Sequence, residues 1–475
     1  MATHAPLPKA PTHIAGLDLV LGGGLPRNRT SLVCGGPGCG KTILAMEFVA
    51  NAAARGEPGV FVSFEQPAST LLSDFSSFNL GLEDLLSDGI LKIEHIDFGG
   101  TRPPATGEFT LDGLFLQLDH ILDQVGAERV ALDTLEAIFG GFDDGPTLRT
   151  EIRRLFHRLH GRGVTSLVTA EAGSRELTRH GLEEYVSDCV LRLDHRVIDE
   201  VSTRRARVLK YRGSDHSANE HPFMIGSRGI SLIPVGSAAL SHPAPLDRVS
   251  SGVEGLDRML GGEGFFRGAS VLVSGTAGTG KSSLGAAYLH AACSRGERSV
   301  YLAFEESEPQ IVRNMASIGI DLTSWIEQGL LSIRARRPSH HGLEQHLQEI
   351  QELVEDDAPK AVVVDPISNL IHAGTPATTL TMLTRLVDIF KSQGITVLYT
   401  SLGEAEGPSG TPRSSISSLM DCWLEVTNES ERGGPVRAIR IIKARGTAHD
   451  HGRHRLELTD EGVRVGASLS QDTGS

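Results

Sequence analysis

Two octapeptides in this chain have the spacing that holds a phosphate. Gly35-Gly36-Pro37-Gly38-Cys39-Gly40-Lys41-Thr42 and Gly275-Thr276-Ala277-Gly278-Thr279-Gly280-Lys281-Ser282 both satisfy G-x-x-x-x-G-K-[ST]. Each follows an apolar run and opens a stretch with helical spacing, the context this motif requires. Their glycines let successive backbone N–H groups turn toward one anion, and the helix N-terminus that follows adds partial positive charge. The pattern expects Gly36 to Gly40 and Thr276 to Gly280 to wrap the phosphates of ATP. Lys41 and Lys281 would reach its β- and γ-phosphates, and the Thr42 and Ser282 hydroxyls would be ligands of Mg2+. A glycine-rich turn that binds nothing is the bland alternative, and two such loops in one context argue against it.

Acidic residues follow each loop at matching places. Asp133 and Asp365 end hydrophobic runs, Val130-Ala131-Leu132-Asp133 and Val362-Val363-Val364-Asp365, where a carboxylate would join the magnesium shell. One such aspartate more often caps a turn; its repetition favours the metal role. Glu65, after Val60-Phe61-Val62-Ser63-Phe64, and the pair Glu305-Glu306 stand where a carboxylate orients and deprotonates the attacking water or hydroxyl. Glu65 and Glu305 are the expected bases; in the first copy the second acid is replaced by Gln66. Cationic stabilisation of developing charge is expected from Lys210 and Arg212 with His216, and from Lys443 and Arg445 with His449. Each lysine and arginine are alternate residues of an expected strand and share one face, able to project into a neighbouring molecule's nucleotide.

The chain that carries these residues is an internal repeat. Lys41 and Lys281, and Glu65 and Glu305, are each 240 residues apart. Further on, Ser187-Asp188-Cys189 pairs with Met420-Asp421-Cys422, and the K-x-R-G-[ST]-x-H strings starting at Lys210 and Lys443 pair 233 residues apart. Buried strands are expected at Ser31 to Cys34, Val60 to Phe64, Val130 to Leu132 and Ser166 to Thr169, with helices between, as at Ile43 to Arg55 and Thr147 to Arg162. Alternating strands and helices predict an α/β fold, a mostly parallel sheet flanked by helices, in each half. The expected boundaries are a first domain over 1–235, a linker over 236–247 and a second domain over 248–475. At 475 residues, 39% hydrophobic and 22% charged, two packed cores fit the composition.

A net charge of −14 without a basic run disfavours nucleic acid as a partner. Five cysteines without C-x-x-C spacing signal neither a disulfide framework nor zinc, and a reducing cytoplasm is expected. No apolar stretch has the length of a membrane span.

The order G-L-D, glycine turn, phosphate loop, Phe-Glu, strand aspartate and K-x-R-G-[ST]-x-H, present twice between about Ile14 and Val465, resembles KaiC, a family of tandem RecA-like P-loop ATPases that are also autokinases. The resemblance implies a double-ring homohexamer with ATP at subunit interfaces and the K-x-R residues acting in trans. It also implies slow hydrolysis in the first ring and autophosphorylation in the second. The acceptors it implies are Ser417 and Ser418; the repeat register sets Glu184 and Tyr185 opposite them, so the first half lacks acceptors. A KaiB-like or other signalling partner belongs with this resemblance. Three departures stand out: Ser-Ser replaces the usual Ser-Thr, Pro412 stands where a threonine is usual, and Ser468 to Ser475 end the chain without the long tail read by KaiA. Regulation by KaiA is therefore not expected, and an autonomous switch or hourglass timer is. The rival readings are a RecA-like DNA-dependent ATPase, which the acidic charge opposes, and a nucleotide-dependent signalling scaffold.

Overall fold

Near-continuous aliphatic runs build the strands, because a parallel sheet with helices on both faces buries every residue of its central strands. The computed structural model describes residues 7–97, 111–139, 145–173, 187–198, 201–235, 244–337, 343–371, 376–403, 417–431 and 434–469. The chain divides into two units, Met1–Ser237 and Ala238–Ser475.

The first unit has strands β1 (Thr30–Gly35), β2 (Gly59–Ser63), β3 (Leu91–His95), β4 (Arg129–Asp133), β5 (Thr165–Glu171), β6 (Cys189–Ile198), β7 (Val201–Tyr211), β8 (His221–Gly226) and β9 (Gly229–Leu232). They form one sheet in the order β9-β8-β7-β6-β1-β5-β4-β2-β3. Ladders from β6 across β1 to β3 are parallel, whereas β6 to β9 are joined by antiparallel pairing. The antiparallel extension arises because hairpins, rather than helical crossovers, connect these last strands. Side chains alternate across β2: Phe61 packs with Leu44 and Phe48 of helix α1 (Lys41–Ala53). Val60 and Val62 pack on the opposite face with Leu118 and Ile152 of helices α2 (Asp112–Val125) and α3 (Gly145–Gly161). Each such fully buried Leu or Phe contributes about 1.5–3 kcal/mol.

The second unit repeats this plan. Its strands are β10 (Ser270–Gly275), β11 (Ser299–Ala303), β12 (Leu331–Ala335), β13 (Ala361–Asp365), β14 (Thr396–Leu402), β15 (Cys422–Glu431), β16 (Gly434–Ala444), β17 (His454–Thr459) and β18 (Gly462–Ser468). The order is β12-β11-β13-β14-β10-β15-β16-β17-β18. Helix α4 (Lys281–Ser294) covers the face that Tyr301 and Val363 present. Among the described residues, no helix is long and apolar enough to cross a membrane.

Candidate functional site

Both phosphate loops sit at the C-terminal end of a central strand, β1 or β10, and open into α1 or α4. Gly38 and Gly40 (φ 69° and 101°) and Gly278 and Gly280 (φ 76° and 97°) are left-handed, a conformation that costs any residue with a Cβ. A Cβ at Gly35 or Gly275 would meet a carbonyl oxygen of the neighbouring strand, that of Leu193 at 2.4 Å or Val426 at 2.2 Å. A Cβ at Gly36 or Gly38 would meet nothing within 4 Å, so the mouth of the loop has room. Lys41 Nζ donates to Gly35 O (2.8 Å) and Gly36 O (3.1 Å), and Lys281 Nζ to Thr276 O (2.7 Å). Burial lowers the Lys281 ammonium below its ordinary range, opposed by the charges of Asp365 and Glu305. Lys281 and both acids therefore converge. Cys39 is buried, its thiol raised by burial and lowered by Lys41; Thr279, its counterpart, donates its hydroxyl to Thr276 O at 2.9 Å.

The strand aspartates reach the loop hydroxyls by two different routes. Asp133, 7% exposed, accepts from the Thr169 hydroxyl and from Thr42. Burial raises its carboxyl, against those two hydrogen bonds and the Lys41 charge. Asp365 accepts from the Thr400 hydroxyl on Oδ1 and from the Tyr301 phenol on Oδ2, at 2.5 Å. The Ser282 side chain hydrogen-bonds that same phenol. Burial, then the Asp365 charge, hold Tyr301 well above the ordinary tyrosine range, so it stays a donor. In the first half Phe61 takes the place of Tyr301, and both rings are fully buried.

Glu65 is exposed, two residues past the end of β2. Partial burial raises its carboxyl, with Asp133 and Glu171 adding and Lys41 opposing, which sets it among the loop residues. Glu305 Oε1 accepts from the Asn369 amide at 3.2 Å, whereas Glu306 faces the Asn314 amide at 3.4 Å. The adjacent acids are thus held by different partners.

Lys210, Arg212, Lys443 and Arg445 occupy the opposite edge of their sheets. β7 and β16 end at Tyr211 and Ala444, one residue before each arginine. The expectation that both cations of a pair lie within one strand is corrected accordingly. The chain turns at Gly213 and Gly446, whose φ values are 78° and 66°, and a register shift precedes the end of each strand. Lys443 Nζ donates to Ser417 O (2.8 Å) and Met420 O (2.7 Å), and Arg445 Nη2 to Ser418 O (2.6 Å). Asp421 N donates to Ser270 O at 2.8 Å, and the Asp421 carboxylate pairs with Lys391 at 2.7 Å. Asp188 repeats this with Thr30 O at 3.0 Å and with Arg29 at 3.2 Å. His216 stacks on Tyr211 with ring centroids 6.2 Å apart, and His449 lies 4.4 Å from His451. Ser417 and Ser418 lie in a helical turn over 417–419, the first half-buried and the second exposed. Glu184, Tyr185, Pro412 and most of the 236–247 linker lie outside the described residues.

A family model for the KaiC ATPase matches residues 10–237 and, a second time, 249–470. The chain belongs to the KaiC family. It is 45% identical to circadian clock protein KaiC2 of Synechocystis sp. over 96% of this chain and 81% of that protein. It is 34% identical to KaiC3 of the same organism (98% and 93%) and 35% identical to the circadian clock oscillator protein KaiC of Parathermosynechococcus lividus (97% and 85%). Each half is thus a KaiC-type ATPase domain that binds nucleotide, and the two tandem RecA-like folds follow from the two matches and the two sheets.

Several residues of this KaiC-family site escape sequence reasoning. Thr169, Thr400 and Tyr301 reach the aspartates from neighbouring strands, and Asn369 reaches Glu305 from beyond β13. Glu47 of α1 is another. Only 2% exposed, it accepts the Ile230 N–H at 2.6 Å and so ties the phosphate-loop helix to the β8–β9 hairpin. Its counterpart is Ala287. Gly229, at φ 93°, is required there because a Cβ would meet the Glu47 carboxylate at 2.4 Å. Burial pushes the Glu47 carboxyl up to about 8.

Proposed function

We propose that this chain binds ATP with Mg2+ in both halves, hydrolyses it in the first and transfers phosphate to its own serines in the second, working as a homohexameric signalling switch or timer. Among the described residues no three His, Cys, Asp or Glu side chains converge as a metal site. In this reading the cation is held by Thr42 with Asp133, or Ser282 with Asp365, and takes its remaining ligands from phosphate and water. When bound, Mg2+ neutralises charge developing on the transferred group.

The carrying observation is the opposition of the two sheet edges. The acceptor turn hangs on Asp421 at the Ser270 end of β10, while the phosphate loop begins at Gly275, about 17 Å away along the strand. Ser417 and Ser418 are therefore served by a neighbouring subunit's ATP, and their own loop serves the next subunit in turn. Lys443, Arg445 and His449, like Lys210, Arg212 and His216, lie on the same edge as the serines and would face that neighbour's nucleotide. A serine oxygen bonds to the γ-phosphorus, the bond to the ADP oxygen breaks, and Glu305, held by Asn369, takes the hydroxyl proton. Glu306 stands beside it as an additional acid. In the first half Glu65 orients and deprotonates water, and transfer ends in inorganic phosphate.

The test mixes two variants with Mg-ATP: Lys281→Ala, impaired in nucleotide binding, and Ser417→Ala/Ser418→Ala, without acceptors. Phosphate on Ser417 or Ser418 of the Lys281→Ala chain is expected, with a native mass of six chains. Phosphate that forms in the wild type but never in the mixture would refute transfer between subunits.

A further inference from the structure

The two halves differ at one buried hydroxyl. In the first, the Thr42 hydroxyl lies near Asp133 and favours its charged form. In the second, the Tyr301 phenol donates to Asp365 Oδ2 at 2.5 Å, with the Ser282 hydroxyl near the phenol. Tyr301 and Phe61 occupy matching places in β11 and β2, both fully buried against the phosphate-loop helix. The ring is thus common to both cores and the hydroxyl is the difference. β11 pairs with β13 in a register that sets Ala303 beside Asp365. Tyr301, two residues earlier on the same face, leans along the strand to reach the carboxylate.

We propose that Tyr301 is a positioning residue that weakens the second half's grip on its divalent cation, making the two nucleotide sites unequal in metal affinity. This rests on the reading of Asp365 and Ser282 as metal-site residues. A magnesium ion bound to Ser282 keeps several waters, and those waters need carboxylate oxygens to accept their hydrogen bonds. Thr400 already engages Oδ1, as Thr169 engages Asp133 Oδ1, so that bond is common to both halves. The phenol engages Oδ2, competing with a metal-bound water for it. A hydrogen bond to a half-buried carboxylate is strong enough to matter, and changes at such outer partners shift metal affinity by about tenfold or more.

The test titrates Mn2+, followed by electron paramagnetic resonance, into the full chain saturated with a non-hydrolysable ATP analogue. Two classes of bound ion are expected, the weaker removed by Asp365→Ala and the tighter by Asp133→Ala. Tyr301→Phe should tighten the weaker class about tenfold and leave the tighter one unmoved. The reciprocal Phe61→Tyr should weaken the tighter class. If Asp365→Ala leaves the weaker class in place, the metal reading of the site fails. If Asp365→Ala removes it but Tyr301→Phe leaves its affinity unchanged or lowers it, the role given to Tyr301 is wrong while that reading stands.

Discussion

Replacing Glu47 with glutamine isolates one buried proton beside the first phosphate loop. The Glu47 carboxyl titrates near 8 in the folded chain against 4.5 for an ordinary glutamate. Between those values the folded state carries a proton that the unfolded state has lost, so unfolding free energy falls as pH rises. The contribution is fully present below 4.5 and is gone once pH has passed 8. At 1.36 kcal/mol per pH unit the whole window is worth about 4–5 kcal/mol, and the step from pH 5.5 to 7.5 about 2–3 kcal/mol. Glutamine retains an acceptor oxygen for the Ile230 N–H and carries no titrating proton. Scanning calorimetry of the full chain should therefore find Glu47→Gln gaining on the wild type by about 5–10 °C in the first unit's Tm between those pH values. Parallel pH profiles for the two proteins would refute the assignment of a buried, protonated Glu47.

Two further outcomes follow from the same geometry. Glu65→Gln should lower steady-state ATP hydrolysis by about 10²–10⁴ while nucleotide binding, measured by fluorescence titration, stays the same; unaltered turnover would remove Glu65 from the chemistry. Gly229→Ala, which puts a Cβ against the Glu47 carboxylate at a left-handed backbone position, should cost about 2 kcal/mol, read as a lower urea midpoint without a change in slope.

What could be read from the sequence was local. The loop glycines, the lysine and the following hydroxyl lie within eight residues, and their spacing alone dictates the turn that the φ values of Gly38, Gly40, Gly278 and Gly280 display. The repeat carried the fold because each half reuses one order of strands and helices. The antiparallel run from β6 to β9 lies outside that alternation, because hairpins join these strands and β7 mixes charged with apolar residues where the central strands are near-continuously apolar. Residues acting across strands were hidden for a related reason. Tyr301 meets Asp365 only through the β11–β13 register, and in the sequence it is one more large side chain in an apolar run. A comparison of repeats at fully buried positions, with a search for added hydroxyls, would have found it against Phe61. The pairing of Lys443 with Ser417 and Met420 depends on where β16 ends, and strand ends are set by turns such as Gly446 rather than by the strand itself.

Under the proposed transfer to Ser417 and Ser418, the separation of loop and serines by the length of β10 sets a kinetic order. A lone chain would then leave its own Ser417 and Ser418 unlabelled, so on dilution below the concentration at which subunits associate, labelling should become second order in protein and then stop. Such a molecule would gauge its own abundance before it gauged anything else, because a mark on one chain would record that another was there to make it.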